Sequence, residues 1–228
     1  MLTVELKREG DVFILTMTKG DNRFNPPFLE GMNRALDTVE QSRGLIALVT
    51  TGGEEKFYSN GLDLAWLSGD GRSEKPSFMI SVSKLFARVL SFPLPTVAAI
   101  NGHAFASGAL LAFAHDFRIM RADRGFICMP EVDIKIPLSP AALALIQSRV
   151  PAAVFRDLVL TGVRMGGNEA KRLGVVDDAV PINEVLPKAI TLAASLAKKD
   201  RDTYQILKRT MVKEVVAVFE SAIPSSIR

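Results

Sequence analysis

The sequence has few of the residues that cross-link a chain or bind metals. Its 228 residues contain one cysteine, Cys128, so no disulfide can form within the chain, and nothing indicates secretion. Cys128 stands between apolar neighbours, which favours a buried core thiol over a nucleophile. The only histidines, His103 and His115, lack metal-ligand spacing to Cys128 or acidic residues. We therefore expect no metal site.

Long apolar runs and tracts of one charge sign are also missing. The apolar stretches are too short or too interrupted to cross a bilayer, and the amino terminus begins an alternating strand instead of a signal peptide. Lys and Arg (28) exceed Asp and Glu (25) by three, and this excess is dispersed along the chain. We expect no membrane span and no nucleic-acid partner, although the basic excess is compatible with an anionic ligand.

The length and the 48% hydrophobic content predict one large domain over residues 1–228. Strand and helix patterns alternate in its first part, as expected of an α/β fold. The predicted strands are Thr3–Lys7, Val12–Met17, Gly44–Thr50, Thr96–Ile100 and Phe117–Met120. Helical spacing of apolar residues predicts helices at Phe28–Val39 and Phe78–Val89 and a short one from about Ser107 to His115. Right-handed crossovers would wind residues 1–138 into a layered or spiral core.

From Ser139 onward the pattern becomes helical. Ser139 is a suitable N-cap for a helix with Pro140 in its first position. The predicted helices are Ala141–Arg149, Ala152–Leu160, Asn168–Leu173, Glu184–Lys198 and Thr203–Glu220. Residues 139–228 are therefore expected to form a helical carboxyl-terminal region.

Two glycine-containing segments, Phe57–Leu64 and Asn101–Gly108, each follow an apolar strand and precede a predicted helix. Free amides at a helix start suit a developing negative charge, and two of them converging on one oxygen would form an oxyanion hole. Neither segment is a Walker loop or a dinucleotide fingerprint. From spacing alone, two tight structural turns are the simpler interpretation.

A family resemblance changes that interpretation. Ile100–Gly108 and His115–Ile119 together resemble the central signature of the enoyl-coenzyme A hydratase/isomerase, or crotonase, superfamily, and Phe57–Leu64 resembles its other signature. Met129–Ile134 and Glu169–Asp177 are similar to two further family segments, in the same order. The resemblance implies a crotonase-like spiral of β-β-α units with a helical carboxyl-terminal region used for oligomerisation.

The resemblance also implies an active site. It makes the amides of Leu62 and Ser107 the oxyanion hole for a thioester carbonyl, and Glu131 a catalytic carboxylate. The family's hydratases use a second glutamate, and Leu110 occupies that position here. A single mobile carboxylate suffices to move a double bond by removing and returning one proton. The implied reaction is therefore isomerisation of 3-enoyl-CoA to 2-trans-enoyl-CoA in fatty-acid β-oxidation. Burial beside Met129, Val132 and Leu110 is expected to raise the pKa of Glu131.

Further positions are implied to contact the substrate: Arg23, Lys56, Ser59, Asn60, Gly61, Asp63, Trp66, Gly108 and Leu110. Arg23 and Lys56 are candidates for the phosphates of coenzyme A, with a solvated surface role as the alternative. Asp63 is expected to cap the following helix, and Trp66 to line the core or an acyl pocket. Coenzyme A enters only as part of the substrate, and no separate cofactor is expected.

Shorter strings resemble one branch of the family. Asn22–Phe24, Tyr58–Trp66 and Glu131–Ile134 are most similar to short 3,2-enoyl-CoA isomerases of plant peroxisomes. Ala106 and Ser107 depart from the family, since many members have glycine at these positions. Both add side chains near the expected thioester.

Other readings of the same family pattern stay open. They are a different crotonase reaction, such as enoyl-CoA hydration or thioester hydrolysis, or an acyl-CoA-binding subunit without activity. The resemblance implies a homotrimer, or a hexamer made of two trimers. It also suggests the peroxisomal matrix, but the ending Ser226-Ile227-Arg228 does not match the Ser-Lys-Leu address, so for a chain that ends there the compartment is unknown.

Overall fold

A computed structural model of the chain describes residues 3–221. Up to Ile134 the chain forms four successive units, each with two strands followed by helix. The units are β1 (Val4–Glu9), β2 (Val12–Met17) and α1 (Pro26–Gln41); β3 (Ala47–Gly52), β4 (Phe57–Ser59), α2 (Leu64–Ser68) and α3 (Lys75–Leu90); β5 (Thr96–Ile100), β6 (His103–Phe105) and α4 (Ser107–Ala114); β7 (Phe117–Arg121), β8 (Ile127–Cys128) and α5 (Glu131–Ile134). This arrangement confirms the expected spiral of β-β-α units.

The strands form two sheets. The first is six-stranded, in the order β1-β2-β3-β5-β7-β9, and the second is three-stranded, in the order β4-β6-β8. β1 and β2 form the predicted antiparallel hairpin, and the remaining pairings are parallel. In the second to fourth units, the first strand joins the large sheet and the second joins the small one. From the second unit onward, each turn of the spiral therefore adds one strand to the large sheet and one to the small sheet.

The remaining elements, β9 and five helices, follow the fourth unit. They are α6 (Pro140–Gln147), α7 (Ala152–Thr161), α8 (Gly167–Arg172), β9 (Asp178–Val180), α9 (Ile182–Ala197) and α10 (Arg201–Ser221). The expected cap is confirmed, because the Ser139 side chain accepts a hydrogen bond from the Ala142 amide at 3.2 Å. Residues 222–228 of the predicted helical region lie outside the described residues.

The large sheet is covered on both faces. On one face, α9 packs its small residues Ala189 and Ala193 against Val49 and Val97. On the other face lie α1, α3 and α4, in a core that also holds α10. Small side chains let a helix approach a sheet closely, and burial on both faces accounts for the continuously apolar strands β3 and β5.

The last helix returns to the amino-terminal part of the chain. Phe219 of α10 packs edge-on against Phe86 of α3, with ring centroids 6.1 Å apart. The guanidinium of Arg201 donates hydrogen bonds to the carbonyls of Ser42 and Glu40. These contacts join the helical region to the core formed by the spiral. Within residues 3–221, no helix is long and apolar enough to cross a membrane.

Some predicted boundaries were wrong. The strand predicted at Gly44–Thr50 is Ala47–Gly52, because Gly44 has φ +92° and belongs to the preceding turn. β9 interrupts a region predicted to be wholly helical. The three strands of the small sheet were not predicted either. Strands of two or three residues are too short to show a periodicity.

Candidate active site

The small sheet brings three chain segments to one edge. Because β4, β6 and β8 are parallel, their carboxyl ends lie at the same edge. Leu62 follows the end of β4, Ser107 follows the end of β6, and Glu131 follows the end of β8. The pairing of these strands therefore places two main-chain amides and one carboxyl group in the same neighbourhood.

Two glycines let the first two segments touch. A Cβ atom on Gly108 would lie 2.2 Å from the carbonyl oxygen of Ser59, which no side chain tolerates. A Cβ atom on Gly61 would lie 3.1 Å from the amide nitrogen of Ser107, and Gly61 also has φ +79°. Both positions require glycine, because the two loops approach each other through their backbones.

The amides of Leu62 and Ser107 are unused by the part of the protein that the structure describes. The backbone groups on either side of Leu62 are engaged. The carbonyl of Gly61 accepts from Phe24, and the Asp63 amide donates to the Phe24 carbonyl. Two free main-chain donors beside each other, in loops held by such bonds, match the requirement for an oxyanion hole.

Ala106, between β6 and α4, has an unusual backbone conformation. Its φ of 51° and ψ of −122° are normally adopted by glycine, and for alanine they cost roughly 1–3 kcal/mol. Hydrogen bonds hold the residue in place, since its amide donates to Cys128 and its carbonyl accepts from Leu110. The strain occurs immediately before the free amide of Ser107.

Glu131 is the first residue of α5 and is only 9% exposed. Its Oε2 atom is buried and has no hydrogen-bond partner within residues 3–221. Burial raises the pKa of Glu131 to about 7, and a hydrogen bond with its own backbone offsets the effect only in part. Glu131 also lines a mainly apolar cavity of about 470 Å³ together with Ile136, Leu138, Leu143 and Val159.

The direction of the Glu131 pKa agrees with the prediction, but one expected contributor to its burial was wrong. Val132 is 50% exposed. Met129 and Leu110, in contrast, are buried as expected. A carboxyl group with a pKa near 7 exchanges protons efficiently at neutral pH, as general acid–base catalysis requires.

Comparison with known proteins decides the family. The profile described as Enoyl-CoA hydratase/isomerase matches residues 7–224. The chain belongs to the enoyl-CoA hydratase/isomerase family. Enoyl-CoA delta isomerase 3 of Arabidopsis thaliana is 36% identical over 219 residues, covering 92% of both chains. Enoyl-CoA delta isomerase 2, peroxisomal, of the same plant is 35% identical over 226 residues, covering 93% of both.

Solved structures agree on the fold. An enoyl-CoA hydratase/isomerase family protein of Pseudomonas syringae superposes with a TM-score of 0.90 at 27% identity, covering 96% of this chain and 94% of that one. Human mitochondrial delta3-delta2-enoyl-CoA isomerase superposes with a TM-score of 0.89 at 22% identity, covering 99% and 93%. The crotonase fold predicted from the sequence motifs is thereby confirmed.

In this crotonase, Leu110, which the sequence resemblance places at the position of a second hydratase glutamate, is apolar and buried. Leu110 lies in α4, three residues after Ser107 and thus on the same side of the helix. Among the described residues, no group of three or more His, Cys, Asp or Glu side chains is placed to hold a metal ion.

Several predicted substrate-binding residues shape the loop after β4. Asp63 caps α2 as predicted, accepting a hydrogen bond from the Trp66 amide at 3.1 Å. The Ser59 side chain is fully buried and donates to the Asn22 carbonyl at 2.7 Å. Trp66 packs edge-on against Phe78, with centroids 4.9 Å apart. These side chains hold the loop that carries the Leu62 amide.

The two cations predicted to meet phosphates lie at opposite ends of β4. Arg23 pairs with Asp21 at 2.6 Å, and the Asn60 side-chain amide donates to the same carboxylate at 3.2 Å. Arg23 is thus near the loop that carries Leu62. Lys56 precedes β4 and is exposed, with its ammonium 5.3 Å from the centre of the Phe57 ring. The structure therefore brings Arg23, but not Lys56, to the edge with the free amides.

Cys128 is buried, as predicted, and both histidines form hydrogen bonds within the fold. His115 is buried between Thr50 Oγ1 at 3.0 Å and the Leu111 carbonyl at 2.8 Å, and burial lowers its pKa to about 4. His103 accepts a hydrogen bond from the Phe126 amide. Burial raises the pKa of the Cys128 thiol to about 11, which makes it a poor nucleophile.

Sequence reasoning missed two residues that organise the site. Asn22 is buried at φ 50°, and its side-chain amide donates to the Tyr58 carbonyl at 3.0 Å. Asp21 accepts from both Arg23 and Asn60. Asn22 entered the sequence analysis only within the Asn22–Phe24 family string. Asparagine tolerates positive φ, but a sequence pattern alone does not locate where that tolerance is used.

Proposed function

We propose that this protein is an enoyl-CoA delta isomerase that converts 3-enoyl-CoA to 2-trans-enoyl-CoA. The names of its Arabidopsis relatives support this reaction. The observation that carries the proposal is the single buried carboxyl of Glu131, with a pKa of about 7, at the same sheet edge as two free amides. Leu110, at the position of a second carboxylate, favours isomerisation over hydration.

The reaction needs one base and one stabilised oxygen. Glu131 removes a proton from the carbon next to the thioester, and the electrons move toward the carbonyl oxygen. The amides of Leu62 and Ser107 donate hydrogen bonds to that oxygen while it carries negative charge. Protonated Glu131 then returns the proton to the γ-carbon, so the double bond moves and no atom is gained or lost.

The oxyanion-hole donors and the acid–base group would each contribute to the rate acceleration. One oxyanion-hole donor typically lowers the barrier by roughly 2.7–4 kcal/mol. A positioned acid–base group contributes about 10²–10⁴-fold. The base works best when its pKa is near the operating pH, and burial of Glu131 provides this.

The apolar cavity beside Glu131 supports an acyl chain as the bound group. Most of its lining is aliphatic, so a hydrocarbon chain there would leave water while the carboxyl meets the reacting carbons. Coenzyme A is then part of the substrate, and Arg23 is the proposed contact for its phosphates. Replacing Arg23 by Ala is expected to raise KM with little change in kcat.

An isomerase assay tests the proposal directly. Wild type and Glu131→Gln are compared on 3-enoyl-CoA substrates of short and long chain, and products are identified by mass spectrometry. Wild type should form the 2-trans isomer with unchanged mass, and Glu131→Gln should be inactive but folded. A fully active Glu131→Gln enzyme would reject the proposal. A product heavier by one water would assign hydration instead, free coenzyme A would assign thioester hydrolysis, and binding without turnover would assign an acyl-CoA-binding subunit.

We also propose a homotrimer, alone or paired into a hexamer, and the name of the second relative supports the peroxisomal matrix as its location. The apolar side chains of Ile134 and Leu160 are exposed in the single chain, which supports their burial by another copy. Light scattering measures the particle mass, and a monomer would refute the assembly.

A further inference from the structure

A second cavity lies beside α10 and shares no lining residue with the candidate active site. Its volume of about 350 Å³ is at the lower end of the range for small-molecule sites, roughly 300–1,000 Å³. Phe117, Leu207, Met211 and Val212 make most of its wall apolar. Such a cavity suits a ligand with a short hydrocarbon chain.

An ion pair at this cavity is already satisfied. Lys208 is only 5% exposed, and its ammonium lies 2.9 Å from Asp116 Oδ2. The same ammonium donates to the Leu94 carbonyl and to Thr96 Oγ1, which uses its three protons. Asp116 Oδ2 also accepts from the Tyr204 hydroxyl at 3.0 Å. This pair therefore offers no free ammonium proton and carries no net charge.

Arg149, which also lines the cavity, has a guanidinium donor without a hydrogen-bond acceptor. Its Nε donates to the Phe113 carbonyl at 3.0 Å, but its Nη2 is buried without a hydrogen-bond partner in the part of the chain that the structure describes. It also forms no ion pair among residues 3–221. A buried guanidinium donor without an acceptor is costly, and a carboxylate is the acceptor that suits it best. Asp116 and Asp177 both attract this guanidinium, but they are paired with Lys208 and Arg118, so one positive charge is left over around the cavity.

We propose that this cavity binds a monocarboxylate with a short apolar chain. The carboxylate accepts from the Arg149 guanidinium, and the hydrocarbon chain packs against Phe117, Leu207 and Met211. One negative charge neutralises the site, and a single short hydrocarbon chain fits the apolar volume. This binding is independent of the isomerase proposal, because neither Glu131 nor the free amides take part.

Calorimetric titration with octanoate tests the proposal, with saturating octanoyl-coenzyme A present so that the acyl cavity beside Glu131 is already occupied. Octanoate should bind at one site per chain, and 1-octanol, which lacks the carboxylate, should bind at least about tenfold more weakly. Equal binding of the two probes, or no octanoate binding, would overturn the proposal.

Two variants on one helix provide a matched comparison. Met211 lines the mouth of the cavity and is 80% exposed, whereas Ile206 is 65% exposed and does not line it. Met211→Glu places a carboxylate at the mouth and should weaken octanoate binding about tenfold or more, while Ile206→Glu should leave it unchanged. Because both side chains are exposed, both variants should fold. Equal binding by the two variants would refute the assignment.

Arg149→Met removes the proposed anchor and should also weaken binding at least about tenfold. If that variant fails to fold, the Met211→Glu comparison decides alone. Light scattering on the same samples identifies the alternative occupant. Loss of particle mass in Met211→Glu, together with no octanoate binding to wild type, would assign the cavity to a contact between copies and overturn the proposal.

Discussion

Replacing Glu131 by glutamine should stabilise the protein above neutral pH while removing its proposed activity. The wild-type carboxyl has a pKa of about 7 in the folded chain, against 4.5 for an ordinary glutamate. Above pH 7 the folded protein must keep an ionised group in a buried place, where Oε2 has no hydrogen-bond partner among the described residues. Glutamine is never ionised, so it avoids this cost.

The size and sign of the effect follow from the two pKa values. Below pH 4.5 the carboxyl is protonated in both the folded and the unfolded chain, and the variant gains nothing. Between pH 4.5 and about 7 the unfolded chain loses its proton first, so wild-type stability falls as pH rises. At about 1.36 kcal/mol per pH unit, the full penalty is roughly 3 kcal/mol above pH 7.

Urea unfolding of wild type and Glu131→Gln at several pH values between 4 and 8.5 measures this difference. The stability of the variant relative to wild type should rise through the interval and then level off near pH 7. A flat difference across the range would refute the argument that Glu131 is held in a dry environment. In wild type, kcat/KM should rise with pH to a plateau above about 7, because the base must be ionised.

Three further substitutions test the loop contact at the site, the strained backbone before Ser107 and the Lys208–Asp116 ion pair. Gly108→Ala would place a Cβ atom 2.2 Å from the Ser59 carbonyl, so the two loops should separate. Isomerase activity should fall at least about tenfold, and the free energy of unfolding should fall by roughly 1–3 kcal/mol. Unchanged activity would contradict this reasoning. Ala106→Gly should relieve the positive φ and stabilise the protein by about 1 kcal/mol in urea unfolding, and a loss of stability would count against strain at this position. Lys208→Met leaves Asp116 without its cation and should lower the free energy of unfolding in urea by about 3–5 kcal/mol. A decrease below roughly 1 kcal/mol would show that the ion pair is dispensable for stability.

Much of the fold could be predicted because its signals are local. The helix that begins at Pro26 and the strand Thr96–Ile100 appear in the sequence as helical spacing and as a continuous apolar run. The Ser139 and Asp63 caps were likewise predicted from nearby residues and are present. The ordered motifs indicated the family, which the comparisons confirm.

The short strands of the small sheet could not be predicted in this way. β8 has two residues and exists because it pairs with β6, more than twenty positions earlier in the chain. No local pattern specifies such a pairing, since it depends on the path of the whole spiral. The positions of Lys56 and Arg23 also depend on the tertiary structure. The direction of β4 in the small sheet places Lys56 at the end of the strand opposite to Arg23.

The sequence by itself determined which groups are available for chemistry: one glutamate at position 131, leucine at 110, and glycines at 61 and 108 that permit close backbone contact. Only the tertiary structure decided that three parallel strand ends place the Leu62 and Ser107 amides and Glu131 at one edge. The pKa of Glu131 belongs to the tertiary structure as well. Burial by residues distant in the chain removes water from the carboxyl, and loss of water is what disfavours its charged form.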